Sequence, residues 1–332
     1  MLLALLLPVL GAVVFLGVAT GPASLGIGEV GRALWPGGGE KTALDRTIIL
    51  QVRLPRVVLA VLVGGALSTA GAVLQGLFRN PLADPYLLGV SSGAALGATV
   101  AIVAGFTWQF SGFGAVPLAA LAGALFSLWL VYRLARVGGK LPVFTLLLAG
   151  IAVGSFLTAL VSWLVFWGQE KIHQAVFWLM GGFSARDWSD VALCLPYVAV
   201  GLTVCLAWAR ELNLMLTGEE AAAQLGVNVE RAKLVLVVAA ALLTAASVAV
   251  GGLIGFVGLV VPHIMRIVVG PDHRVLLPAS ALGGAVFLAA ADVVARTVLA
   301  PAEVPLGIVT ALTGGPFFMY LLRRKGGSAV HP

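Results

Sequence analysis

The sequence predicts an all-α integral membrane protein of about ten transmembrane helices. Three observations lead there. Of the 332 residues 60% are hydrophobic, only 10% are charged, and the charges sit in short segments between long apolar runs. Soluble domains typically run about 45–50% apolar and 25% charged. A water-soluble globule, a disordered chain and a fibrous repeat are therefore excluded, in line with a mean hydropathy of +1.06. A helical span takes about 20 mainly apolar residues, so ten spans use about 200 positions, close to the apolar content of the chain.

The spans follow in order. The opening run MLLALLLPVLGAVVFLGVAT has no Lys or Arg ahead of it and no clear small-residue cleavage site, so it reads as a first span and not as a signal peptide. Residues 57–78, between Arg56 and Arg79, carry no charge and form the second. Residues 85–132 are uncharged throughout and are broken by the turn-rich SGFGAVP at 111–117, which predicts a hairpin of two spans. Residues 141–169 hold the fifth span and 191–209 the sixth. The stretch 234–265 is too long for one span and carries Gly251, Gly252, Gly255, Gly258 and Pro262. It reads as a seventh span near 232–250 and a broken eighth ending near 270. Residues 275–291 and 304–322 supply the last two. The polar segments 21–52 and 210–231 are too short to bury an independent core, so residues 1–332 form one transmembrane domain without a soluble one.

Lys and Arg set the orientation. With the N-terminus inside, the inner loops hold twelve, including Arg79, Arg133, Lys140, Arg231, Lys233 and Arg274. The outer segments hold eight: Arg32, Lys41, Arg46, Arg53, Arg56, Lys171, Arg186 and Arg296. Both termini are then inside. The formal net charge of +6 would suggest nucleic acid in a soluble chain, but here the basic residues are explained by loop orientation. Arg53, Arg56 and Arg296 break the rule at predicted span ends, and an outward function would explain the exception. Cys194 and Cys205 share one apolar segment about 16 Å apart along a helix, beyond disulfide reach, and read as packing residues.

Several chemistries are disfavoured. A phosphate-binding loop needs Gly-Lys followed by Ser or Thr; the single lysine that follows a glycine, Lys140, precedes Leu141. Ion-coupled transporters usually carry carboxylates inside the membrane. All fourteen Asp and Glu lie in loops or at span ends, and the most embedded, Asp292, is spaced to pair with Arg296 four residues on. His263 is the sole histidine within an apolar run, and no second His, Cys or Asp offers metal-ligand spacing. A self-sufficient secondary transporter or channel remains the runner-up class, and an intramembrane enzyme lacks a constellation. The segment 216–233 stands apart: an alanine-rich, Glu-led turn bracketed by Gly218 and Gly226 predicts a short inner helix, either a docking element or a plain connector.

Several blocks resemble the permease subunits of the iron-chelate and cobalamin uptake family of ABC importers. They are RLPRVVLAVLVGGALSTAGAVLQGLFRNPLADPYLLGVSSGAALG at 53–97, FWLMGGFSARDW at 177–188 and GEEAAAQLGV at 218–227, then GGLIGFVGLVVPHIMRIVVGPDHRVLLP at 251–278, ADVVAR at 291–296 and PLGIVTALTGGPFFMYLL at 305–322. The resemblance implies the ten-helix, type II importer permease fold in the bacterial cytoplasmic (inner) membrane. It implies a homodimer surrounded by lipid, an external substrate-binding protein and two ATP-binding subunits inside. The chain itself would hold no metal and no cofactor; ATP and Mg would belong to the partner ATPase. The cargo would be a ferric siderophore, heme or cobalamin, delivered by the binding protein and moved inward. Residue by residue, the resemblance assigns Arg53, Arg56 and Arg296 to binding-protein docking, where a guanidinium can grip a carboxylate in a bidentate fork. It assigns Glu219, Glu220, Ala222 and Gly226, within a coupling segment at about 211–231, to ATPase contact. The glycines at 251, 252, 255 and 258 fall near the translocation path. Gly181, Gly182 and Phe183 are either part of the outer mouth or a simple loop turn.

Overall fold

The protein is described here from a computed structural model, which covers residues 2–21 and 40–328. Arg32, one of the outer charges in the sidedness reading, lies outside the described residues. Among those described, six helices are long and apolar enough to cross a bilayer, and four more are apolar but shorter. Their sum is the ten that composition predicts.

The opening run is helix α1 (Leu2–Ala19). Helix α2 (Glu40–Thr47) continues through a π-helical turn at Ile48–Arg53 into α3 (Leu54–Leu77), so the second span begins earlier than its charge-free stretch. A short 3-10 turn at Pro85–Leu88 leads into α4 (Val90–Val103). The following turn carries a two-residue hairpin, β1 (Gln109–Phe110) against β2 (Phe113–Gly114), before α5 (Ala115–Ala135). The turn thus ends before Pro117, which sits in the first turn of α5, where proline lacks no hydrogen bond. Then come α6 (Val143–Trp167), the short α7 (Ile172–Leu179) and α8 (Trp188–Ala207). Two short helices, α9 (Ala209–Met215) and α10 (Glu219–Gln224), precede α11 (Val229–Gly251). Residues 252–256 are unwound, α12 (Val257–Val269) resumes the helix, and α13 (His273–Thr297) and α14 (Leu306–Ser328) close the chain. The break expected in the 234–265 stretch is therefore present. Non-helical backbone at membrane depth needs protein around it or a cavity beside it, and both conditions are met below.

Helix α3 is the hub, packing on α8, α11, α12 and α13, and α13 also carries α1. Its length from Val63 to Leu77 is buried, and the sequence allows this through small residues: Gly64, Gly65, Ala66, Ser68, Ala70, Gly71 and Ala72. A Cβ on Gly64 would strike the Gly284 carbonyl of α13, and one on Gly71 the Gly258 carbonyl of α12. In lipid the apolar effect does not drive helices together, so such close backbone approach supplies the packing. The outer helices show the opposite character. Phe144, Phe156, Trp163 and Phe166 of α6 and Leu312 of α14 are more than half exposed, which suits an apolar surrounding. Cys194 and Cys205 are buried free thiols, as their packing role predicts.

Candidate functional site

Charged side chains gather at the two ends of the bundle. At one end α1 stops at Ala19, leaving its last carbonyls without partners in the helix. Two arginines distant in sequence supply them. Arg53 Nη1 donates to the Val18 and Ala19 carbonyls at 3.0 and 2.9 Å. Arg296 donates from Nη1 to the Thr20 carbonyl (3.1 Å) and from Nη2 to that of Gly17 (3.0 Å). A cation suits this place because a helix C-terminus carries partial negative charge. Arg56 forks between two acids, with Nη2 2.9 Å from Asp292 Oδ1 and Nη1 2.9 Å from Glu303 Oε1. Asp292 Oδ2 lies 3.1 Å from Arg296 Nε, the pairing that its four-residue spacing predicts. Ser184 Oγ donates to Glu303 Oε2 at 2.6 Å. Burial pushes the Glu303 carboxyl up, but the Ser184 hydroxyl and the Arg56 guanidinium outweigh it and hold the group below its ordinary value.

The resemblance assigns Arg53, Arg56 and Arg296 to docking of a binding protein; in the chain by itself they also hold the fold together. All three are buried, Arg296 to 2% exposure, and their guanidinium groups are engaged inside the chain. A partner's carboxylate reaching Arg56 would compete with Asp292 and Glu303. The arginines cap α1 and bind α3, α13 and the 303 loop together.

Beside this cluster lies a cavity of about 560 Å³, walled by Arg56, Glu303, Ser184, Phe177, Trp178 and Gly252 among others. The segment at Gly181–Phe183 is more than a simple turn. Gly182 N donates to the Gly251 carbonyl (2.8 Å), and the Gly181 carbonyl accepts from Leu306 N (2.9 Å). It knits the ends of α7, α11 and α14 at the cavity wall.

The four expected path glycines divide. Gly251 and Gly252 line the cavity, and Gly252 has φ +66°, where a Cβ would strike the Trp178 carbonyl. Gly255 lies in the unwound stretch with open space where a Cβ would go. Gly258 is instead a crossing residue: its Cβ would press on the Leu67 carbonyl at 2.8 Å and on Pro85. Two residues that hold the break went unnoticed in the sequence. Tyr86 Oη accepts from Ile254 N at 2.7 Å, and Gln75 Nε2 donates to the Gly258 and Leu259 carbonyls at 3.3 and 3.1 Å. The available signal was Gln75 as the one amide side chain in the uncharged run 57–78.

At the opposite end α10 forms as predicted, with Gly218 at φ +119° before it and Gly226 at φ +85° after it. The expected contact residues again divide. Glu220 and Gly226 are exposed, together with Ala223, Gln224 and Leu225, the last at 62%. Ala222 is fully buried and seats the helix. Glu219 turns inward to Lys233 Nζ of α11 at 2.6 Å. Nearby, Asn213 Nδ2 of α9 donates to Asp272 Oδ1 (2.6 Å), and its own Oδ1 accepts from His273 N (2.9 Å) at the start of α13. The Arg274 N–H and the Asn213 amide hold the Asp272 carboxyl below its usual range. Among the described residues there is no group of three or more His, Cys, Asp or Glu placed to hold a metal.

Among the described residues, ten apolar helices, two of them flanking the break at 252–256, form a membrane-spanning bundle with a small helix anchored at one end. Over residues 9–324 the chain matches the FecCD transport family, and it belongs to that family of ABC transporter permeases. It is 52% identical over 280 residues to the cobalamin import system permease protein BtuC of Halobacterium salinarum, covering 84% of this chain and 74% of that one. It is 46% identical over 281 residues to the hemin transport system permease protein HmuU of Yersinia pestis, covering 84% of each. A solved structure of an inward-facing ABC transporter, assigned to the metal-chelate type, superposes with a TM-score of 0.84 at 32% identity, covering 97% of this chain and 99% of that one.

Proposed function

We propose that the chain is the permease subunit of an ATP-driven importer that moves a metal chelate inward: a ferric siderophore, heme or cobalamin. The observation that carries this is the shared similarity, at 52% and 46% identity, to permeases named for cobalamin and hemin import. The architecture supports it. A cavity lies at the arginine end, and an anchored helix with an exposed face lies at the other. In this reading two copies pair in the cytoplasmic membrane, with the arginine end outside and both termini inside. A substrate-binding protein delivers cargo to the arginine end. Arg53, Arg56 and Arg296 shape that face, and in this reading they carry the docking, their guanidinium groups being shared with Asp292, Glu303 and the carbonyls that end α1. Two ATPase subunits, which hold the ATP and Mg, dock on the surface made by Glu220, Ala223, Gln224, Leu225 and Gly226. The chain holds no cofactor of its own.

The test is uptake into liposomes holding the chain with an ATP-binding subunit and a substrate-binding protein of the same system. Labelled cobalamin, hemin and a ferric siderophore are offered separately. Accumulation of one of them that needs both partners and ATP is expected. Transport by the chain alone, or none of the three with all partners present, overturns the reading.

A further inference from the structure

Lys233 is the most deeply buried charged side chain at the α10 end, at 3% exposure, and it faces three acceptors on three elements. Its Nζ lies 2.6 Å from Glu219 Oε2 at the start of α10 and 3.3 Å from Glu230 Oε1 in the first turn of α11. It also donates to the Leu141 carbonyl, 3.4 Å away, just before α6 begins at Val143. Glu230 closes the ring, since its Oε2 accepts from Leu141 N at 2.7 Å. One ammonium therefore joins the exposed helix to the first residues of two spans. Both spans lead to the cavity: α11 ends at Gly251, which lines it, and α6 leads into α7, whose Phe177 and Trp178 wall it.

We propose that Lys233 is a positioning residue for transport, a three-way clamp that makes a displacement of α10 move α6 and α11 together. The proposal rests on the reading of α10 as the contact with an ATPase. The chemistry of the clamp suits transmission. A lysine offers three donors and can hold three acceptors at once. Its ammonium is buried, so the contacts are weakly screened by salt, whereas Glu219 and Glu230 keep their side chains about 40% exposed and solvated. Apart from the chain connection, Ala222 packing supplies only non-directional contact; the ion pair fixes orientation. The hydrogen bond from Asn213 to Asp272 joins α9 to α13 and does not reach α6.

The experiment uses the complete transporter in liposomes and reads two rates together, ATP hydrolysis and cargo uptake. Lys233→Met removes the charge and keeps an unbranched apolar stem in a buried place, and both glutamates left behind can be hydrated, so the fold is expected to hold. Cargo moved per ATP should fall about five-fold or more, within the range of ordinary coupling energies, while ATP hydrolysis continues. Glu219→Gln should show the same uncoupling, and the double variant should be no worse than Lys233→Met alone, because the two act as one unit. A merely structural role would lower both rates in proportion to the folded amount and leave their ratio unchanged; that result overturns the proposal. Leu225→Asp on the exposed face separates the two claims. If it leaves ATPase assembly and uptake intact, the reading of α10 as the contact fails. If it abolishes them while Lys233→Met and Glu219→Gln keep the native ratio, only the clamp fails.

Discussion

The two ends of this bundle spend their charges in opposite ways. At the arginine end, Arg53, Arg56, Arg296, Asp292 and Glu303 satisfy one another and the carbonyls that end α1, so little charge is left facing outward. At the α10 end one buried lysine anchors the helix, and the residues from Ala223 to Gly226 remain exposed. The first arrangement is a closure that binds four segments of chain into one rigid unit. The second is a handle, fixed on one side and open on the other. A charge at a span end therefore says little about function until its partner is known: buried arginines can hold a fold, and an exposed apolar residue can mark the contact surface.

The contrast predicts that changes at the arginine end cost stability first, and that changes on α10 cost transport first. The largest effect is expected for Asp292→Ala. It leaves Arg56 with Glu303 alone and Arg296 with backbone carbonyls alone, two guanidinium groups in one buried site, and breaking a buried pair in this way costs about 3–5 kcal/mol. Unfolding of the purified protein in detergent micelles measures it, and a change within the error of the method would remove the closure from the argument. Gly226→Trp comes next. The position has φ +85° and open space around a Cβ, so backbone strain of about 1 kcal/mol is the whole stability cost. Uptake should nevertheless collapse, since the bulky ring occupies the contact face. Normal uptake would dissolve the distinction between the ends.

A smaller effect follows from acid. The Glu303 carboxyl is held below its ordinary value of 4.5 in the folded chain. Its tie to Arg56 is then fully present above pH 4.5 and is lost as the pH falls through the lower folded value. Glu303→Gln should remove that acid-sensitive component from the unfolding midpoint, and an unchanged acid profile would show that the tie contributes nothing. The smallest stability effect belongs to Leu225→Gln, within about 0.5 kcal/mol as for other exposed positions. Thermal midpoints of the two proteins should coincide while uptake falls.

Much of the fold was legible in the sequence. Hydropathy and charge located ten helices, the glycine-rich break between α11 and α12, and the short helix between Gly218 and Gly226. The four-residue spacing of Asp292 and Arg296 foretold their pair. Local reading has a limit. The turn between α4 and α5 was set too late because Pro117 reads locally as a breaker, although at the start of a helix it is tolerated. The carbonyls and carboxylates that Arg53, Arg56 and Arg296 engage lie mostly far along the chain, where no local pattern shows them. Likewise a six-residue stretch does not state which of its faces is packed, so the burial of Ala222 and the Glu219–Lys233 pair were not legible in it.

Transmembrane helices form from local terms. A run of some twenty apolar residues must satisfy its own backbone wherever it sits in a bilayer, and so composition and spacing alone determined the class of this protein, its spans and its short connecting helix. Which charges are consumed and which are offered is a matter of partners far along the chain. Arg56 meets Asp292 across 236 residues and Glu303 across 247, and Lys233 reaches Leu141 across 92. Only the packing of α3 against α13, and of α11 beside the start of α6, brings those groups within hydrogen-bond range. Tertiary structure therefore decided which end of the molecule is a closure and which is a handle.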